Sequence, residues 1–380
     1  MDFDFQWLLL GLPVAFALGW LASRLDVRQW QREEHESPRA YYKGLNLLLN
    51  EQQDKAIDAF IEAVRHDPDT SDLHFALGNL FRRRGEYERA VRVHQHLLDR
   101  GDLAAVERER AQHALAQDFM KAGLFDRAEQ AFRALEGTPF DTEARLALLS
   151  LYERSRDWRN AADVAAQLEK RGAGSFATRI AHHWCELALE ADAKQHADEA
   201  DDALRRAREA APQAPRPRII AAQLLTRRGN ERGAVEAFGE LMVANPASFN
   251  LVARDYAASA RACGEAPAAR ARLQALYEHA PGLELLQALN ALDDDAASRE
   301  QRLATHLQAQ PTLSAAQELL KLQGGDVTTQ ALRDAVGRAA RPLQRYRCAA
   351  CGFEAQHYFW QCPGCLSWDS YPPQRLEEFA

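Results

Sequence analysis

A repeat of about 34 residues runs through most of the chain and restricts its fold more than any other feature. In the two clearest copies, Gly44 recurs as Gly78 and Ala56 recurs as Ala90 at this interval. Fainter copies follow between Ser37 and Pro281, each marked by one alanine: Ala128, Ala161, Ala200, Ala234 and Ala268. A unit of this length buries its apolar face only against its neighbours, so the pattern predicts a stack of about seven similar units.

The residue types at the repeat positions are typical of tetratricopeptide helix hairpins. Small residues let the two helices of a hairpin approach closely, while Phe60, Phe132 and Phe238 fill the gap to the next hairpin. Prolines follow several second helices and end them, because proline lacks the amide hydrogen that continues a helix. They are Pro68, Pro212, Pro246 and Pro281.

This pattern predicts a mainly α protein with a tetratricopeptide α-solenoid over residues 37–281. Residues 282–340 keep an apolar helical pattern and are expected to cap or connect the solenoid. A solenoid of helix hairpins offers a concave surface for proteins or peptides and no preferred catalytic chemistry. We therefore expect a scaffold and not an enzyme.

An uncharged segment of 19 residues, from Phe5 to Ser23, lies near the start of the chain. As a helix it would span roughly 28 Å, close to the hydrocarbon thickness of a bilayer. The preceding residues are acidic, which disfavours a cleaved signal peptide. The pattern predicts a membrane anchor within residues 1–23, with residues 5–23 crossing the bilayer, followed by a juxtamembrane helix or linker over residues 24–36.

The charges beside this segment predict its orientation. Arg24, Arg28 and Arg32 follow it, and no Lys or Arg precedes it, so the positive-inside rule places residues 24–380 in the cytoplasm. The whole chain has 47 basic and 55 acidic residues, a net charge of −8. This acidic balance argues against nucleic acid as a partner.

Four cysteines near the C-terminus follow the spacing C-x2-C-x10-C-x2-C: Cys348, Cys351, Cys362 and Cys365. Two residues between cysteines let a tight turn present both sulfurs to one ion, and two such turns complete a tetrahedral four-sulfur site. Gly352 and Gly364 are expected to supply the positive φ angles of these turns. The aromatic spacer is expected to form a short hairpin that covers the metal. The spacing predicts a metal ribbon over residues 341–380.

The identity and role of that metal are open at this stage. Four thiolates suit iron and zinc alike, so the prediction is one metal ion of either kind. A closed four-cysteine shell leaves no position for a substrate. An iron–thiolate redox protein is the alternative function, and nucleic-acid binding through Arg341, Arg345 and Arg347 is disfavoured by the net charge. Cys185 and Cys263 are interpreted as buried structural thiols.

An anchor, a repeat solenoid and a cysteine ribbon with the motifs CxxCGF and WxCPxC resemble the lipopolysaccharide assembly protein B family of Gram-negative bacteria along essentially the whole chain. The resemblance implies a rubredoxin-like metal domain packed against the solenoid, with the four cysteines as metal ligands. It also implies a single-pass protein of the bacterial inner membrane, with its N-terminus in the periplasm. Homo-oligomer formation stays open.

The same resemblance implies a regulator of lipopolysaccharide biosynthesis. Members of the family promote turnover of the deacetylase LpxC by the membrane protease FtsH. The resemblance further implies contacts with other lipopolysaccharide synthesis and assembly proteins.

Overall fold

The computed structural model describes residues 42–47, 49–50, 52–66, 70–323 and 327–379, together with Phe16 and Trp20. The predicted membrane segment over residues 5–23 lies outside this part of the chain except for those two residues, and so does the predicted linker over residues 24–36. Among the described residues, none of the helices combines the length and the apolar character that a bilayer crossing requires. The anchor therefore stays a prediction.

Helices joined by short turns make up two compact units, Met1–Asp157 and Trp158–Ala380. The first unit has residues 42–47 in helical conformation, followed by α1 (Gln53–His66), α2 (Ser71–Arg84), α3 (Tyr87–Asp99), α4 (Ala105–Ala122), α5 (Phe125–Arg133) and α6 (Asp141–Ser155). The second unit begins with α7 (Trp158–Lys170), α8 (Ala177–Ala193), α9 (Ala197–Ala210), α10 (Pro215–Arg227) and α11 (Glu231–Ala244).

The second unit continues through a short irregular stretch, further helices and a small sheet. These elements are α12 (Pro246–Phe249), a 3-10 turn (Asn250–Val252), α13 (Ala253–Ala262), α14 (Ala266–His279), α15 (Leu283–Ala291), α16 (Ala296–Ala309), α17 (Leu313–Leu322), α18 (Val327–Ala340), β1 (Tyr346–Arg347), β2 (Glu354–Ala355) and a 3-10 turn (Leu376–Phe379). The mainly α, tetratricopeptide fold with a C-terminal four-cysteine ribbon is thus confirmed. The described part of residues 282–340 forms helices α15 to α18, which continue the alternation of the repeats.

One alanine occupies the fourth residue of each second helix, where the two helices of a hairpin approach most closely. These alanines are at most 1% exposed: Ala56, Ala90, Ala128, Ala161, Ala200, Ala234 and Ala269. The last position corrects the sequence analysis, which assigned it to Ala268. Ala268 is exposed, because helix α14 begins one residue later than a strictly constant repeat interval predicts.

A close approach at Gly78 shows why the glycine position of the repeat needs a small residue. A methyl group on Gly78 would overlap the imidazole ring of His94 on helix α3. His94 is fully buried, and its Nδ1 atom lies 2.5 Å from Asp118 Oδ2 on helix α4. Arg82 of helix α2 donates to the other oxygen of Asp118 at 2.8 Å. This polar network joins three successive helices of the first unit.

The second unit is held together by an apolar core and by polar contacts between neighbouring repeats. Phe238, Phe249 and Tyr256 are fully buried in one cluster, with ring centroids 5.6–6.4 Å apart. The hydroxyls of Thr226 and Ser259, which are 33 residues apart, lie 3.1 Å from each other. Contacts at nearly one repeat length keep the first helices of successive hairpins in register.

The short hairpin that the sequence analysis expected within the spacer does not form in the described part of the chain. Strand β1 pairs antiparallel with β2, and Gln361 forms an isolated bridge with Trp368. Each cysteine pair is therefore the loop of its own small hairpin. The spacer supplies one strand to each hairpin, because it has to cross from the first cysteine pair to the second.

Candidate metal centre

The structure brings all four predicted cysteines together. The Sγ atoms of Cys348, Cys351, Cys362 and Cys365 all lie within 4.8 Å of one another. Cys348 Sγ is 3.8 Å from Cys365 Sγ, and Cys351 Sγ is 3.7 Å from Cys362 Sγ. A tetrahedral ion with metal–sulfur bonds of about 2.3 Å requires sulfur–sulfur distances of about 3.8 Å. The cluster has the size of such a site and none of these thiols forms a disulfide, so these residues could hold one metal ion.

The backbone turns sharply one residue after each cysteine pair. Gly352, directly after Cys351, has a φ of 78°, and Leu366, directly after Cys365, has a φ of 61°. The expectation for Gly352 is thus confirmed, whereas the one for Gly364 was wrong, because Leu366 takes the left-handed position. Gly364 lies against Phe353, and a Cβ atom there would be 3.3 Å from Cδ2 of that ring, a close contact.

Hydrogen bonds favour the ionised form of two of the four thiols, Cys348 and Cys365. Burial opposes ionisation of Cys348, but the Ser370 hydroxyl, 3.2 Å away, and two backbone amides outweigh it and lower the pKa of this thiol to about 6. The hydroxyl and the amide of Ser367 lower the pKa of Cys365. The Phe353 amide acts in the same direction on Cys351, but burial and hydrogen bonds to the other sulfurs raise its pKa to about 12. Metal binding requires deprotonated thiols, and the hydrogen bonds to Cys348 and Cys365 act in that direction.

Two of the sulfurs face the interior and two face the outside. Cys348 and Cys362 are buried, whereas Cys351 and Cys365 are exposed. The buried pair packs with Tyr346 and Tyr371, and Leu251 of the first 3-10 turn packs against the same cluster. A side chain of the repeat region therefore completes the small core of the ribbon.

The aromatic side chains of the spacer between the two cysteine pairs lie in three different environments. Tyr358 packs against the buried cysteine cluster, as expected for a cover over the metal. Phe353 and Phe359 are instead 44% and 37% exposed. Trp360 turns away from the cysteines and packs against the core of the repeats. The spacer therefore both covers the site and attaches it to the helices.

The ribbon is fastened to helices α8 and α10 by a group of polar and aromatic contacts. The Trp368 ring stacks on His182 with ring centroids 4.6 Å apart, and Asp369 Oδ2 lies 2.8 Å from His182 Nε2. Arg216 approaches His182 Nδ1 at 3.3 Å and also contacts the rings of Trp368 and Trp360. Arginine can only donate, so Nδ1 accepts and the Nε2 proton is donated to Asp369.

This arrangement requires a neutral His182. Burial lowers the pKa of His182, although the Asp369 carboxylate opposes that shift. His182 and Arg216 are separated by one repeat interval and thus occupy equivalent positions in two successive repeats. The interval of one repeat between His182 and Arg216 was the sequence signal that could have indicated this attachment surface. The sequence analysis did not use it. Both His182 and the adjacent His183 are buried.

The C-terminal segment makes a second attachment. Arg375 Nε lies 3.1 Å from Glu284 Oε1 at the start of helix α15. The backbone amide of Ser314 in helix α17 donates to Glu377 at 3.3 Å. The ribbon is therefore held at both its second cysteine pair and its last turn.

The remaining cysteines lie apart from the cluster. Cys185 is fully buried, and burial raises its pKa to about 12, which suits an inert structural thiol. Cys263 is only half-buried and donates weakly to the Ala260 carbonyl at 3.7 Å. The burial expected for Cys263 is thus incomplete.

Comparisons with known proteins agree with this architecture. A family model described as the rubredoxin metal binding domain matches residues 346–373, and a tetratricopeptide repeat model matches residues 73–104. The lipopolysaccharide assembly protein B of Escherichia coli (strain K12) is 33% identical over 381 residues, which cover 97% of this chain and 98% of that protein. The chain belongs to the lipopolysaccharide assembly protein B family. It is also 28% identical to the protein of that name from Haemophilus influenzae over 410 residues, which cover 98% of each chain.

Among solved structures, a tetratricopeptide repeat protein from Parabacteroides merdae aligns with a TM-score of 0.34 and 15% identity, covering 67% of this chain and 98% of that one. In this member of the lipopolysaccharide assembly protein B family, the rubredoxin-type ribbon packs on the repeat helices through His182, Arg216 and Glu284.

Proposed function

We propose that this protein is a non-enzymatic adaptor that regulates lipopolysaccharide biosynthesis at the bacterial inner membrane. The observation that carries the proposal is the four-sulfur cluster, which is closed by its own ligands and fastened to the helical repeats through Asp369 and His182. Such a site has no open position for a substrate, so its contribution is structural. The names of the relatives from E. coli and H. influenzae support the link to lipopolysaccharide assembly.

The proposal extends to the protein partners of the solenoid and to the membrane topology of the chain. The solenoid binds proteins, promotes FtsH-dependent proteolysis of LpxC, and coordinates other lipopolysaccharide synthesis and assembly proteins. Residues 5–23 anchor the chain in the inner membrane, with the N-terminus in the periplasm and the bulk of the chain in the cytoplasm. The functional parts are then the anchor (1–23), the linker (24–36), the repeats (37–281), the connecting helices (282–340) and the ribbon (341–380).

The proposal assigns Cys348, Cys351, Cys362 and Cys365 as ligands of one iron or zinc ion. When bound, this ion supplies a cross-link between the two small hairpins of a ribbon that is too short to form a sufficient core alone. The sulfur–sulfur distances of 3.8 Å and 3.7 Å support the assignment. Elemental analysis of protein expressed in native medium identifies the metal, and less than about 0.2 equivalents of any metal would contradict the assignment.

A redox function is the second candidate. The exposure of Cys351 and Cys365 favours it, because electron transfer needs a centre close to the surface. This candidate requires iron, and stoichiometric zinc in natively expressed protein excludes it.

The adaptor proposal is tested by depleting the protein in its native cells. We expect a longer half-life of LpxC on immunoblots after translation is stopped, together with more lipopolysaccharide. Re-expression of the Trp368→Ala variant should restore turnover only in part, because this variant loosens the ribbon. The matched Phe359→Ala variant changes an exposed ribbon ring whose ring contact is with Tyr371 of the same ribbon, and it should restore turnover fully. Unchanged LpxC half-life and lipopolysaccharide after depletion would refute the proposal.

A further inference from the structure

Helices α13, α15, α16 and α17 enclose a cleft of about 540 Å³ in the second unit. Three basic side chains line it, one each from α13, α16 and α17: Arg254, Arg299 and Lys321. The side-chain amides of Gln287 and Asn290 on α15 contribute further polar groups. The cleft shares no lining residue with the four-cysteine centre or with the attachment surface around His182. Its basic lining stands out in a chain with a net charge of −8.

The positive charge of this cleft is only partly neutralised. Lys321 pairs at 2.6 Å with Glu318, which is the one acidic residue among those that line the cleft in the described part of the chain. Arg254 bonds to the neutral amide oxygen of Gln287. The buried Nε atom of Arg299 has no hydrogen-bond partner among the residues that the structure describes.

Neighbouring arginines on helices α13, α14 and α16 are instead paired with carboxylates. Arg261 pairs with Asp294, and Arg302 and Arg270 both pair with Asp293 at 2.6 Å and 3.1 Å. The buried Nε atom of Arg299 costs free energy while it has no acceptor, and an anion in the cleft would supply one. Arg254 is exposed and bonded to a neutral amide, so it adds a positive charge that no carboxylate of the cleft offsets. The cleft therefore has the electrostatic character of a carboxylate-binding site.

Apolar side chains between the basic ones narrow the class of ligand. Leu303 is nearly fully buried beneath the cleft, and Leu322 is 40% exposed at its edge. Single-stranded nucleic acid is bound largely by base stacking on aromatic side chains, and no aromatic residue lines this cleft among the described residues. Carboxylates for the arginines and apolar groups for the leucines occur together in a short acidic, leucine-rich peptide segment.

We infer that the cleft between Arg254, Arg299 and Leu322 binds an acidic, apolar segment of a partner protein. This inference rests on the proposed adaptor function, because it gives one partner a defined contact surface. The carboxylates come from Asp or Glu side chains of that segment, since more than one basic group lines the cleft. The two arginines bind the carboxylates, while the apolar side chains of the segment cover Leu322 and Leu303.

Fluorescence polarisation with the purified full-length chain in detergent tests the inference. The probe is a fluorescein-labelled hexapeptide in which glutamate and leucine alternate, prepared with a free and with an amidated C-terminus. We expect saturable binding that weakens with added salt, and no binding of the matched glutamine–leucine peptide. Equal binding of both forms supports recognition of acidic side chains, and much tighter binding of the free-acid form would overturn it in favour of a chain terminus.

Variants connect the binding to the cleft. Because Arg254 is exposed, the Arg254→Gln variant should fold normally. It should weaken peptide binding about tenfold, since it removes one charge-assisted hydrogen bond. Arg299→Gln should weaken it similarly, and Arg299→Lys should recover part of the loss. Arg261→Gln is the matched control, because Arg261 already pairs with Asp294. Circular dichroism and thermal unfolding confirm that each variant is folded.

Several results would overturn the inference. They are absence of saturable binding, equal affinity for the glutamine peptide, equal affinity for a labelled oligothymidylate, and unchanged affinity in Arg254→Gln. Any of them rejects the cleft and leaves the adaptor function standing, since that function is measured separately by the half-life of LpxC. Conversely, peptide binding that depends on Arg254 supports the cleft even where depletion leaves LpxC unchanged.

Discussion

Asp369 Oδ2 lies 2.8 Å from His182 Nε2 and joins the loop after the second cysteine pair to a helix 187 residues earlier in the chain. Asp369 has a φ of 51°, in the left-handed region that Asp adopts more readily than most residues other than glycine. Cys365 precedes it closely in the same loop. Folding of the cysteine cluster and attachment of the ribbon to the repeats are therefore linked.

Substitution of one buried ligand should remove the metal and release the ribbon. We expect Cys362→Ser to lose nearly all bound metal, because three thiolates cannot complete a closed tetrahedral shell. Amide hydrogen exchange should then accelerate in the ribbon and also in helix α8, where His182 loses its partner. Cys263→Ser is the control, since Cys263 lies outside the cluster and is only half-buried. Full metal content in Cys362→Ser would contradict the assignment.

Loss of the Trp368 ring should detach the ribbon without removing its metal. Trp368 stacks on His182 and also contacts Trp158 and Arg216, so Trp368→Ala should destabilise the second unit by about 2–3 kcal/mol. Phe359→Ala, which truncates an exposed ring of the same ribbon, should cost less than about 1 kcal/mol. Urea unfolding measures both values, and equal losses in the two variants would show that Trp368 is not an attachment residue.

Much of this architecture could be predicted from the sequence because it follows from local patterns. The repeat predicted the hairpins, since the alanine at the fourth residue of each second helix has to be small wherever two helices meet. The cysteine spacing likewise predicted which four sulfurs come together, because each pair lies within a single turn. In both cases the residues that interact are close in the sequence or recur at a constant interval.

The features that were missed depend on long-range contacts or on local conformation. The pairing of His182 with Asp369 joins two parts of the chain whose relative position the sequence pattern does not encode. Leu366 takes a left-handed conformation that is usually found at glycine. The sequence analysis therefore assigned the positive φ angle of this turn to the nearby Gly364. The shift from Ala268 to Ala269 arises because the 3-10 turn before helix α13 changes the length of one repeat.

The close approach at Gly78 predicts strong sensitivity to a single methyl group. Gly78→Ala should destabilise the first unit by about 2 kcal/mol, because the new Cβ atom would displace His94 from its contact with Asp118. Gly101→Ala is the matched control: nothing lies within 4 Å of a Cβ atom at Gly101, and its effect should stay within about 0.5 kcal/mol. Similar urea midpoints for the two variants would contradict this account.

The burial of His306 predicts that the folded chain loses stability in mild acid. It is buried with Nδ1 2.7 Å from the Tyr277 hydroxyl, and burial lowers its pKa from 6.5, partly opposed by Glu284. The unfolded chain then takes up a proton at higher pH than the folded chain. The contribution of His306 to the free energy of unfolding should be at its full value above pH 6.5 and decrease as the pH falls below that value.

Urea unfolding of the wild type and of His306→Gln over this pH range measures the effect. The variant should show a weaker decrease, while the contributions of His182 and of the cysteine cluster stay the same in both proteins. Identical pH dependence of the two proteins would show that His306 is protonated equally in the folded and unfolded chains.

The two left-handed positions that follow the cysteine pairs predict opposite effects of reciprocal substitutions. Gly352 and Leu366 have φ angles of 78° and 61° at equivalent places in the two turns. Gly352→Ala should destabilise the ribbon by about 1 kcal/mol, because a Cβ atom is strained in this conformation. Leu366→Gly should stabilise it by a smaller amount, since relief of strain is offset by greater freedom of the unfolded chain. Resistance of the bound metal to a competing chelator measures both changes, and a weaker hold on the metal in Leu366→Gly would contradict the strain assigned to Leu366.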